Sequence, residues 1–356
     1  MQNLLLRRKL DEATKANVIK QFGGNDETLA TIRRGLIWIE QHQAVDGHWG
    51  LNDFHEHCQG HPHCDGRGNS DSDTAGTGLA LLPFLGDGNT HQQGPYKDVV
   101  ARGITWLVKN QKPDGNFFTG GQGIAFLYSH AIATIAICEC YNMTGDVSLR
   151  GPAQRGLDFI VASQDPRSGG WRYQPREQSD TSVVGWQVMA LKSGQMADLN
   201  VPEKTLKESL RWLDSVAGKN SQLGQFAYQS GNFTPATTAE AILCLEYLGQ
   251  DRGSDAMVHG TRFLEANLPQ AGRDTSYYWY YGTQAMFHLQ GEPWALWNKA
   301  LHPMLVDSQK KEGPMAGTWD PRDQWEQSGG RIYSTALRIL MLEVYYRHLP
   351  IYQVVE

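Results

Sequence analysis

Apolar positions along this chain follow two alternating patterns. In the first, Leu29, Ile32, Leu36 and Ile39 fall three or four residues apart, with Arg33, Arg34 and Glu40 off the stripe. That is the pattern of an amphipathic helix with one buried face. In the second, nearly every position is apolar or small, as in the ten residues from Ala131 to Cys140. A helix of that kind is buried all round. Helices of the second kind are predicted over Thr74–Leu85, Ser129–Tyr141, Thr181–Ser193, Pro235–Leu248, Tyr280–Leu289 and Ser334–His348. Thr234–Pro235 supplies a capping hydroxyl followed by Pro at the first helical position, and Gly249 a stop.

The alternation is a repeat. Each amphipathic helix carries an aromatic residue, and in the clearer copies Gln follows five positions later: Trp38 and Gln43, Trp106 and Gln111, Phe159 and Gln164. Met304 and Gln309 fit with Met in the aromatic place, and Trp212 and Phe263 mark two copies without the Gln. The turns that follow are alike: AVDGHWG, KPDGNFF, DPRSGGWRY and GPMAGTWDP. Gly there supplies turn dihedrals that other residues avoid. Six such units, each a helical hairpin, fill most of the 356 residues. Six buried helices inside six amphipathic ones predict an all-α fold, an α/α toroid of twelve helices. Residues 1–24 read as an arm or cap helix and residues 25–356 as a single toroid domain. The first repeat is the longest, with a His/Cys-rich insertion at 51–72.

Composition narrows the partners. The net charge of −6 argues against nucleic acid and anionic surfaces, and 40% apolar residues with eleven Trp are ample for a core. No apolar run reaches the length of a membrane-spanning helix. The segment MQNLLLRRKLDEATK has too short an apolar stretch for a signal peptide, so a cytoplasmic location is expected, with an exported form left open if a leader precedes. No pattern indicates a nucleotide cofactor.

Candidate chemistry falls in three places. The insertion contains His-x-His-Cys twice: His55, His57, Cys58, then His61, His63, Cys64. Imidazole and thiolate suit zinc or, alternatively, copper. A Cys58–Cys64 disulfide and a plain polar loop are the other readings. Asp71, Asp73 and Asp180 sit at starts of buried helices, where they either cap the helix or do acid chemistry at a cavity mouth, and His130 begins another such helix. The capping reading places Asp73 or Thr74 at the start of its helix. Finally, Tyr277, Tyr280 and Tyr281 belong to the densest aromatic run, and Tyr128, Trp171, Trp186, Trp319 and Tyr333 are further candidates for lining a central hollow. An aromatic-lined hollow suits apolar or cationic ligands.

The turns QAVDGHWG, QKPDGNFF and QDPRSGGWRY, with the buried segments DTSVVGWQVMAL and YSTALRILML, resemble the Gln-Trp repeats and inner helices of the squalene and oxidosqualene cyclases over about residues 28 to 350. Six units are similar to one cyclase domain, to the β subunit of protein prenyltransferases, and to the stand-alone bacterial repeat proteins of that family. The resemblance implies an α/α toroid whose central cavity binds or transforms an apolar, isoprenoid-like ligand. It does not bring the cyclases' acid motif. Aligned on Asp-Thr-Ala, the proton-donating middle Asp falls on Ser72 and the first Asp on Ser70, while Asp73 is retained. Nor is the zinc-binding Asp-x-Cys of the prenyltransferases present. The competing readings are a metal-dependent enzyme using the His55–Cys64 loop with Asp71, Asp73 or Glu56 as acid or base, and an interaction scaffold for a protein partner whose loop metal is structural. A polysaccharide-lyase-like toroid ranks last.

Overall fold

The computed structural model describes residues 10–58, 64–120, 125–272 and 275–348. His61 and His63 lie outside the described residues. The chain is all-helical in the way its two apolar patterns require. The amphipathic segments form α2 (Asp26–Glu40), α4 (Lys97–Asn110), α6 (Val147–Ser163), α8 (Glu203–Val216), α10 (Asp255–Glu265) and α12 (Gly291–Ser308). The uniformly apolar segments form α3 (Asp73–Gly86), α5 (Ala125–Thr144), α7 (Thr181–Met196), α9 (Pro235–Tyr247), α11 (Ser276–Leu289) and α13 (Gln324–Leu342). Each of these inner helices packs on the next, from α3 through α5, α7, α9 and α11 to α13, and α13 returns to α3. The ring is therefore closed, a six-hairpin α/α toroid. Two further helices lie outside the alternation: α1 (Glu12–Gln21) packs against α14 (Val344–Arg347) and α2.

The Gln residues join neighbouring hairpins. Gln43 Nε2 donates to Gly47 O in its own turn at 2.9 Å and to Val99 O of the next outer helix at 3.0 Å. Gln111 does the same with Gly115 O and Pro152 O, and Gln164 with Gly169 O and Thr205 O. Gln309 completes the circle, donating to Gly317 O and, across the ring closure, to Thr31 O. In three cases an Arg of the following outer helix donates to the Gln oxygen: Arg102 to Gln43, Arg155 to Gln111 and Arg34 to Gln309. One turn shows why Gly is needed: Gly115 has φ +94°, and a Cβ there would meet Arg155 O at 2.2 Å.

The insertion forms a second seam. Asn69 N and Ser70 N donate to Gln327 O and Ser328 O, and Arg331 N donates to Gly66 O at 2.7 Å. Arg331, 1% exposed, donates from Nε to Asp65 O and pairs with the carboxylates of Asp65 and Asp320. Gly330, at φ +68°, interrupts α13 where a Cβ would meet Gly68 N at 2.3 Å. Residues from the first and last hairpins are thus laced together. The last inner helix was expected to run to His348, but it ends at Leu342, with Glu343 between it and α14.

Candidate functional site

The starts of the inner helices meet at one end of the ring. Ser72 Oγ, at the start of α3, lies 2.9 Å from Ser129 Oγ of α5. Tyr128 Oη of α5 lies 2.6 Å from Ser182 Oγ of α7. Tyr277 Oη of α11 lies 3.0 Å from the carbonyl of Ser182 and 3.0 Å from each carboxyl oxygen of Glu240 on α9. Behind this polar shell Trp186 stacks on Tyr280, with centroids 5.6 Å apart and planes 15° apart, and Tyr281 packs edge-on to Trp186, Tyr277 and Tyr280. Asp180, Tyr128, Trp186, Tyr277, Tyr280 and Tyr281, scattered over 150 residues of sequence, are thus one cluster.

The two carboxyl groups in it differ in kind. Asp180 is the N-cap of α7: it accepts from Val183 N at 2.9 Å, from Ser182 Oγ at 2.7 Å and from Tyr228 Oη at 3.0 Å, with Arg172 Nε 3.5 Å away. Burial raises its pKa, and those hydrogen bonds work the other way. A carboxyl surrounded by donors and an arginine is built to be an anion. Glu240 has no arginine beside it. It is fully buried, and burial pushes its pKa well above the usual 4.5, with hydrogen bonds from Tyr277, Tyr281 and the Gly185 backbone opposing only in part. Tyr277 has one phenolic proton for two acceptor contacts. With Glu240 protonated both are satisfied: the phenol donates to the Ser182 carbonyl and the acid donates to the phenol oxygen. Glu240 is the residue that sequence reading missed. Its signal was an acid inside the apolar run of α9, which holds a second, Glu246.

Other expected site residues sit elsewhere. Trp171 and Trp319 are buried against the outer layer, where their indole N–H groups donate to Ile160 O and Leu305 O of their own outer helices, both at 2.8 Å. His130 is a wall residue. Its Nδ1 accepts from Phe117 N at 3.2 Å and its Nε2 donates to Gly156 O at 3.0 Å, so neither nitrogen faces a ligand. Burial lowers its pKa to about 4. Tyr333 of α13 is half-buried at the same end of the ring. Asp71 is exposed and Asp73 half-buried, and neither joins Asp180. The cap of α3 is Ser72, whose Oγ accepts from Ala75 N at 3.1 Å, not Asp73 or Thr74, because the first helical residue is Asp73 itself.

The described part of the insertion separates into two clusters. Cys58 and Cys64 converge with His42, a residue outside the insertion, and His57 joins His48 and Asp53. His55 enters neither, and Glu56 is exposed.

A family profile described as the squalene-hopene cyclase C-terminal domain matches residues 16–126. The squalene–hopene cyclase of Bradyrhizobium diazoefficiens is 25% identical over 186 residues, which is 48% of this chain and 26% of that one. The chain spans between 26% and 35% of the lengths of the curated relatives it matches. In fold it is similar to a type II terpene cyclase from Scytonema solved with geranylgeranyl dihydroxybenzoate, with TM-score 0.57, 11% identity, and 94% and 98% of the two chains covered. It is similar also to a GH76 α-mannanase of Bacteroides thetaiotaomicron, with TM-score 0.63, 12% identity, and 93% and 98% covered. In its closed ring of six hairpins and in residues 16–126, the chain is similar to the squalene–hopene cyclases.

Proposed function

We propose that the protein binds an apolar, isoprenoid-like ligand at the tyrosine-lined end of the ring, and that Glu240 with Tyr277 is its acid. One observation carries this reading: a fully buried carboxyl, its pKa pushed up by burial, in contact with a half-buried phenol, beside the Trp186, Tyr280 and Tyr281 rings. A cyclase-like reaction needs a proton delivered to an alkene and aromatic faces to stabilise the resulting cation. In this chain Ser72 stands where the cyclases' proton-donating Asp would be, so the acid has to come from elsewhere in the ring. The balanced step is a relay. The phenolic proton of Tyr277 goes to the terminal alkene carbon, the Glu240 proton goes to the phenol oxygen, and the final deprotonation of the cation returns a proton to Glu240.

Titration with squalene and with a linear polyprenyl alcohol, followed by tryptophan fluorescence and by mass spectrometry of extracted products, tests the reading. Saturable binding to the wild type is expected. Product is expected to be lost in Glu240→Gln and Tyr277→Phe while binding persists. Binding without product would leave the ligand assignment standing and remove the acid. No saturable binding of either lipid overturns the reading. A second reading rests on the same hydroxyl-rich rim, where Tyr128, Tyr173, Tyr228 and Tyr277 join two carboxyls. One fold relative is an α-mannanase, and saturable binding of α-mannooligosaccharides in place of lipids would establish this second reading.

A further inference from the structure

Two cysteines of the insertion meet a residue that the repeat itself supplies. Cys58 Sγ lies 3.2 Å from Cys64 Sγ, and His42 Nε2 lies 3.1 Å from Cys64 Sγ. All three donor atoms lie within 4.8 Å of one another. His42 follows the last turn of α2, and its ring is held on three sides. It stacks on Trp38 with centroids 4.0 Å apart, and Phe54 packs edge-on to it. Its Nδ1 lies 2.7 Å from Trp38 O. A carbonyl only accepts, so Nδ1 carries the proton and Nε2 presents a lone pair to the two sulfurs. This is how a ligating histidine is oriented: the far nitrogen donates to a backbone carbonyl and the near one is left bare.

We propose that His42 Nε2, Cys58 Sγ and Cys64 Sγ bind one zinc ion, and that the ion fastens the insertion to the first hairpin. Binding displaces the two thiol protons to solvent. The +2 of zinc with two thiolates and a neutral imidazole sums to zero, the charge state that a buried site tolerates best. Copper(I) with the same ligands would leave a net negative charge. In a tetrahedral zinc site, sulfur at about 2.3 Å and nitrogen at about 2.0 Å place ligand atoms roughly 3.5–3.8 Å apart. The His42–Cys64 and Cys58–Cys64 separations are about half an ångström shorter, within reach of small side-chain rotations of Cys64 and of Cys58, the half-buried member. Only three donors are assigned, so the fourth position is for spectroscopy to fill. The sulfur pair then holds the insertion just before Asp65 and Gly66, the residues that bind Arg331 of the last hairpin. The second group, His48, Asp53 and His57, is more open. Its histidine nitrogens stand 3.8 and 4.0 Å from one shared Asp53 oxygen, and His48 is already bound to Asp46.

The test uses the full chain, purified without chelator or affinity tag, and inductively coupled plasma mass spectrometry. About one equivalent of zinc is expected in the wild type. Cys58→Ser is expected to lose it, and His48→Ala/His57→Ala to retain it. Cobalt(II) substitution is expected to give thiolate charge-transfer absorption and intense tetrahedral visible bands, both absent in Cys58→Ser. Zinc removal should speed amide hydrogen exchange at 64–70 and 327–331 more than in α7 or α9, which a merely adventitious surface ion would not do. The proposal is overturned if freshly purified protein has Cys58 and Cys64 joined in a disulfide, found as a loss of two hydrogens by intact mass. It is equally overturned if the protein takes up no zinc after anaerobic reconstitution, or if the ion leaves with His48 and His57 and stays in Cys58→Ser.

Discussion

Gly185 is a glycine because Glu240 occupies the space its side chain would need: a Cβ on Gly185 would stand 1.9 Å from the nearer carboxyl oxygen of Glu240. The two residues lie on adjacent inner helices, α7 and α9, and the acid is seated against bare backbone. Gly185→Ala should therefore displace Glu240 or spread the two helices. Overpacking of this kind costs about 1–3 kcal/mol, and removing the helical Gly returns less than about 1 kcal/mol. Urea unfolding should show a net loss of stability. The double variant Gly185→Ala/Glu240→Ala should recover most of it, and a purely additive result would show that the two sites do not touch.

Glu240 also sets a pH dependence. Its folded pKa lies well above the 4.5 it has when unfolded, so above pH 4.5 the folded chain keeps a proton that the unfolded chain releases. Its contribution is thus fully present below pH 4.5 and is lost as pH rises toward the folded value, by about 1.4 kcal/mol per unit. Glu240→Gln keeps the shape and removes the proton. The variant should gain on the wild type as pH rises from 5 to 8, measured by chemical denaturation. A difference that does not vary with pH would mean that Glu240 is not protonated in the fold.

His130 acts in the opposite sense. Burial holds it neutral, with a folded value of about 4 against 6.5 unfolded. Its contribution is present above pH 6.5 and is lost as pH falls toward 4, about 3 kcal/mol over that interval. The variant His130→Asn should be less stable at pH 7 and should lose less than the wild type on acidification. Parallel pH profiles for the two proteins would contradict the wall role.

The Gln bridges predict an asymmetry around the ring. Gln111→Ala and Gln309→Ala each remove two hydrogen bonds to buried carbonyls, a loss of about 1–3 kcal/mol. Gln111 joins hairpins that are consecutive in sequence. Gln309 joins residues 278 apart, so its contacts help close the ring. Hydrogen exchange should show local loosening in Gln111→Ala. In Gln309→Ala it should show opening that extends along α2 and α13 together.

Much of this was legible in residues alone, because the physics involved is local. Periodicity separated outer from inner helices, and Asp180 and Thr234–Pro235 announced their helix starts, which the structure places at Thr181 and Pro235. The cluster of Tyr128, Trp186, Tyr277, Tyr280 and Tyr281 was named from aromatic density without any knowledge of which rings would touch. For the same reason sequence could not separate Trp171 and Trp319 from them: an indole that seals its own outer helix and one that lines a hollow look alike. Glu240 was hidden because isolated acids in an apolar helix carry no periodic signal. His42 was hidden because its partner Cys64 reaches it only through the folding of the insertion, 22 residues on, and Arg331 because Asp65, 266 residues away, meets it only once the ring is closed.

The lacing of residues 66–70 to 327–331 has a consequence for a chain made from one end. During synthesis α2, α3 and the insertion emerge early, while the surface they need is encoded in the final hairpin. Until Gln324–Leu342 leaves the ribosome, one face of the wholly apolar α3 has no neighbour, and the incomplete ring is a sticky crescent. The nascent protein therefore spends most of its translation with apolar surface exposed at both edges of the unfinished ring, open to association with another unfinished copy on the same message.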